Sequence, residues 1–131
     1  MIVNKSLTSF LLFSTFVAFA LAKTKCVKAV GKLRCVRDDS KVDNVEIKLL
    51  DWDGLPWEAD DQMGLAYSNP DGSFTISGCG YDLGPWNAPD PYLRIKHYCT
   101  SESGANFEVA VWPRFLPKEV DMGTLTLDLE D

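Results

Sequence analysis

Leu93-Arg94-Ile95-Lys96-His97 alternates without a break: Leu93, Ile95 and His97 share one face, Arg94 and Lys96 the other. A period of two sends successive side chains to opposite sides of an extended chain, so the run reads as a β-strand with one wet face. The same period recurs on both sides of it. Val45, Ile47 and Leu49 alternate with Asn44, Glu46 and Lys48, and Phe74 and Ile76 with Ser73, Thr75 and Ser77. Phe107, Val109 and Val111 alternate around Glu108, and Leu125, Leu127 and Leu129 alternate with Thr124, Thr126 and Asp128. A less regular run, Val27 to Cys35, supplies a first strand. Asn69-Pro70-Asp71-Gly72 is a strong turn signal, because Pro fixes φ and Gly accepts a positive one. It is expected to join two antiparallel strands, Gly64 to Ser68 and the strand of Phe74. About seven short strands, no long amphipathic helix and Pro/Gly-rich connections predict an all-β protein built as a two-sheet β-sandwich.

The chain opens with a segment of a different kind. Lys5, the apolar run Phe10 to Ala20 and the small-residue site Ala20-Leu21-Ala22 read as a secretory signal peptide over residues 1–22. The 109 residues that follow, 23–131, suit one domain, secreted and extracellular, with no membrane span. The charge of −6 becomes −7 once Lys5 is removed. An acidic surface argues against nucleic acid and anionic lipid as partners, unless a local basic patch or a bridging cation intervenes. Cys26, Cys35, Cys79 and Cys99 all lie in the mature part, and an even count outside the cell reads as two disulfides. Cys26 and Cys35 bracket one extended strand and stand about 30 Å apart, too far to be bridged, which leaves two connectivities.

Five stretches then support a resemblance. Gly31-Lys32-Leu33-Arg34-Cys35, Val45 to Asp51 with Asp53, Asp71-Gly72-Ser73-Phe74 with Ser77-Gly78, Asp90-Pro91-Tyr92-Leu93-Arg94-Ile95-Lys96-His97-Tyr98-Cys99 and Asp121-Met122-Gly123-Thr124-Leu125 fall in one order and spacing. In these the mature chain resembles the nematode transthyretin-like family of secreted proteins. The resemblance implies a transthyretin-like (prealbumin-like) sandwich and a disulfide joining Cys35 to Cys99, with Cys26 and Cys79 left as an additional pair. Each of these bridges closes a loop of more than fifty residues and contributes about 4 kcal/mol in the chain-entropy view. The resemblance also implies an extracellular binding or signalling role.

Enzymatic readings find little support. The hydroxyisourate hydrolases of the wider transthyretin superfamily use several histidines, an arginine and a terminal Tyr-Arg-Gly-Ser segment, whereas this chain has one histidine and an acidic end. His97 lies on an inward face two residues from a bridged cysteine, which suits a structural histidine, and the cysteines are committed to staples. No catalytic set, cofactor or metal site is therefore expected. Asp51 and Asp53 resemble the start of an EF-hand loop, but Leu55 and Pro56 stand where that loop needs Asp or Asn and then Gly.

The distinctive local feature is the acidic, aromatic loop from Asp51 to Asp61. Trp52 and Trp57 in it, with Asp51 and Asp53, and Trp86 in the Gly78 to Pro91 connection, are the candidate binding residues. The expected function is a secreted, non-enzymatic binding module that meets an extracellular protein or cell-surface partner through these loops, as a monomer. The alternative is a carrier of a small lipophilic ligand, which by analogy with transthyretin needs a tetramer with a channel between subunits.

Overall fold

The computed structural model describes residues 22–52, 59–83 and 89–129. Among these, seven strands form two sheets: β1 (Ala22–Arg34), β2 (Glu46–Asp51), β3 (Asp61–Tyr67), β4 (Ser73–Leu83), β5 (Pro91–His97), β6 (Ala105–Ala110) and β7 (Val120–Thr126). One sheet has the order β4-β1-β7 and the other β3-β2-β5-β6. All pairings are antiparallel except that of β1 with β7, which is parallel. A short 3-10 turn, Asp39–Val42, links β1 to β2 and is capped by Asp38, which accepts from the Ser40 N–H.

The alternating aliphatics face each other between the sheets. Val27, Ala29 and Leu33 of β1 and Phe74 and Ile76 of β4 pack against Ile47 and Leu49 of β2 and Leu93 and Ile95 of β5, all buried. Cys26 bonds to Cys79 across the β1–β4 pair, and Cys35, just past β1, bonds to Cys99, just past β5. The second bridge therefore ties one sheet to the other.

Three local expectations are corrected. The first strand starts at Ala22 rather than Val27, because β4 is long enough to pair with it as far as Ala22↔Leu83. The Asn69–Gly72 turn does not make a hairpin: β3 pairs with β2, and β4 with β1. Each arm of the turn is bound elsewhere. Ser68 donates to the Val45 carbonyl and accepts from Asn44, while the Gly72 carbonyl accepts from Leu33 at 2.8 Å. The turn is thus a corner between sheets, with Gly72 at φ 87°. Beyond it β3 and β4 cross so closely that a Cβ on Gly64 would stand 2.3 Å from the Ser77 carbonyl oxygen.

The third correction is at the C-terminal end. Asp128, expected on the wet face, is buried, and Leu129 is 72% exposed. The chain leaves the strand after Thr126, so the period of two stops there. Asp128 turns inward instead, accepting from the N–H groups of Val36 at 3.0 Å and Arg37 at 2.9 Å.

Candidate functional site

Register on the four-stranded sheet decides which side chains share its outer face. Lys48, Arg94 and Glu108 line up across β2, β5 and β6, and Leu50, Tyr92 and Ala110 form the next row. Opposite charges on neighbouring strands attract, and the Arg94 Nε donates to Glu108 Oε1 at 3.2 Å. The Arg94 Nη2 donates to the Tyr92 hydroxyl at 3.2 Å, and its guanidinium lies 5.8 Å from the Tyr92 ring centre. The Tyr92 hydroxyl in turn donates to Asp60 Oδ2. Burial first, then the Asp60 carboxylate that accepts its proton, push the Tyr92 hydroxyl up to about 12. It stays protonated at any physiological pH and remains a donor.

These groups border an open cleft of about 700 Å³ whose walls include Trp52, Asp60, Asp90, Tyr92, Arg94 and Glu108. Asp60, just before β3, stands over the sheet through its contact with Tyr92. Leu50 beneath is buried although it points away from the core. The β4–β5 connection arrives at the same place: Trp52 donates its N–H to the Asp90 carbonyl at 3.0 Å, and Asp90 donates its N–H to Asp51 Oδ1 at 2.8 Å. The ends of both connections named as candidates are thereby clipped together.

Asp51 is part of that clip, and Trp52 stands on the cleft rim, 59% exposed. Asp53, Trp57 and Trp86 lie outside the described residues. Sequence reasoning read Arg94 and Glu108 as the wet face of ordinary strands, placed Asp60 in the acidic loop without naming it as a binding residue, and gave Tyr92 no role in a site. The alternation around Arg94 and Glu108 was visible; the partner strand that puts Glu108 beside Arg94 was not. It also passed over Trp112, which is 68% exposed between the cleft-lining residues Val111 and Pro113.

His97 lies apart from the cleft, 2% exposed, with its Nδ1 accepting from the Cys99 N–H at 3.1 Å. Among the described residues, ligand-type atoms gather only at Cys35, Cys99 and Asp128. The two sulfurs there are bonded to each other, so the group offers a cation a single carboxylate.

Fold and site together define a disulfide-stapled, two-sheet β-sandwich with an open aromatic and polar cleft on one outer face. Residues 30–111, more than half of the chain, match the profile of TTR-52, "Transthyretin-like family", and the chain belongs to that family. No protein of curated function matches it. Among solved structures, a 9R-lipoxygenase from Cyanothece PCC8801 is similar at 21% identity and a TM-score of 0.47, over 79% of this chain and 16% of that one.

Proposed function

We propose that this protein is a secreted, non-enzymatic binding module that docks an extracellular protein or cell-surface partner at the Trp52 cleft, acting as a single chain whose four-stranded sheet keeps its outer face open. The observation that carries the reading is the cleft itself, where an exposed tryptophan borders the bonded series Asp60, Tyr92, Arg94 and Glu108. Polar groups already held by one another lose little freedom on binding, and a tryptophan beside them offers apolar area with a polar handle. Two disulfides support an oxidising, extracellular setting. His97 and all four cysteines, the residue types behind many nucleophile and base pairs, are committed to structure, which supports binding over catalysis.

The test is a binding screen of the oxidised protein against a panel of extracellular domains and intact cells, repeated with Trp52→Ala and Arg94→Ala. A partner held at the cleft is expected to lose about 30-fold in affinity with each variant, the size of an interface hot spot. Undiminished binding by both variants would move the site elsewhere.

A further inference from the structure

The other sheet carries a face of opposite character. β1 contains Lys23, Lys25, Lys28, Lys32 and Arg34 and no carboxylate, in a chain of net charge −6. The alternation that buries Val27, Ala29 and Leu33 turns Lys28, Val30, Lys32 and Arg34 outward. Because β1 is the middle strand, this row runs down the centre of the sheet, about 20 Å from Lys28 to Arg34. Hydroxyls flank it on both sides. Ser77, Thr75 and Ser73 of β4 stand beside Lys28, Val30 and Lys32, and Thr124 and Thr126 of β7 beside Lys32 and Arg34.

Acidic groups also border this face: among the described residues they include Asp39, Asp71, Glu119 and Asp121. Glu119 pairs with Lys28 at 3.0 Å. Asp121 accepts from the Gly123 N–H at 2.8 Å, and Asp71 accepts from Ser73. Lys32 and Arg34 are exposed at the end of the row, where a second cleft, of about 520 Å³, is lined by both of them, by Pro70 and Thr124, and by the carboxylates of Asp39 and Asp71.

We infer that this face binds a linear sulfated polysaccharide of the glycosaminoglycan class. Three cations in line match a chain of sulfates, and the serine and threonine hydroxyls can hydrogen-bond sulfate and sugar oxygens between them. The shape of the face separates this occupant from a bilayer. A single polyanionic chain follows the row and stays within about 8 Å of its cations, the distance over which they act at physiological salt. Asp71, Glu119 and Asp121 flank the row and meet either occupant, but a membrane is a plane of negative charge and would also meet the acidic remainder of the molecule beyond the row. Val30 is the one apolar side chain in the outward row of β1, which gives a lipid surface little to bury. The choice over nucleic acid rests on the extracellular setting proposed above.

The experiment is binding to immobilised heparin across a salt series, comparing the native chain with Lys32→Glu/Arg34→Glu and with Lys48→Glu/Lys96→Glu on the opposite sheet. Melting curves check that each variant is folded, and Lys32→Gln/Arg34→Gln serves if the reversal is not. The affinity of the native chain is expected to fall with log salt at a slope of about −2 to −3, the Lys32/Arg34 variant to lose at least about tenfold, and the Lys48/Lys96 variant much less. Trp52→Ala is expected to keep heparin binding, so that this site and the cleft stand or fall separately. Equal losses in the two charge variants, no retention at physiological salt, or equally tight binding of DNA or of phosphatidylserine vesicles through Lys32 and Arg34 would overturn the inference.

Discussion

His97 is held neutral inside the sandwich. Burial pushes its imidazole below the ordinary value of 6.5, with Asp128 opposing in part. With Nδ1 accepting from Cys99, the proton of the neutral ring sits on Nε2. The unfolded chain therefore takes up a proton near pH 6.5 that the folded one refuses, so the contribution of His97 is complete above that pH and drains away as the pH falls. Asp128 acts in the same sense further down. The Val36 N–H chiefly, and that of Arg37, hold its carboxyl below 3.8, so its contribution is present above that pH and lost as the pH falls through the lower folded value. The melting temperature is expected to fall from pH 7 to 5 and again below about pH 4. His97→Asn, which can still accept from Cys99 but does not titrate, is expected to flatten the first of these falls. A native chain whose melting temperature is level between pH 7 and 5, or a variant that keeps the slope, would contradict this assignment. The inward face of His97 was legible from its place after Leu93 and Ile95. The inward turn of Asp128 was not, because it depends on two N–H groups more than ninety residues away in the chain.

At the scale of elements, alternation identified the strands of Ile47, Phe74, Ile95 and Val109 because each has one buried and one wet face. It did not identify their neighbours. A turn signal such as Asn69-Pro70-Asp71-Gly72 fixes local φ and ψ, while the hydrogen bonds that draw its two arms into different sheets come from Val45 and Leu33. The crossing beyond this corner has a sharp requirement. A Cβ on Gly78 would lie 2.2 Å from the Met63 carbonyl oxygen and 2.4 Å from its carbon, both backbone atoms that move only if β3 moves. Gly78→Ala is therefore expected to cost about 1–3 kcal/mol, read as a lower urea midpoint at unchanged slope. Thr75→Ala, on the exposed side of the same strand, is expected to stay within about 0.5 kcal/mol. Equal midpoints for the two variants would mean that the close crossing is not required. The same dependence on pairing hid the cleft, since Arg94 and Glu108 become one feature only when β5 and β6 are neighbours.

Over the whole molecule, the sum of charges concealed their arrangement. A total of −6 reads as a uniformly acidic surface, yet β1 gathers five cations, and the sheet geometry sets three of them in a row on a face away from the Trp52 cleft. The two disulfides close spans of 53 and 64 residues, each contributing about 4 kcal/mol by restricting the unfolded chain. Together they fix both outer faces on one stapled body. Docking at the Trp52 cleft requires that face to be free in solution, because the partner must reach the outer surface of the four-stranded sheet. Sedimentation equilibrium of the oxidised protein at micromolar concentration, with and without calcium, tests this most directly. The expected result is the mass of one chain in both conditions; a tetramer that buries the cleft would overturn docking there and would turn attention to a small lipophilic ligand held between subunits.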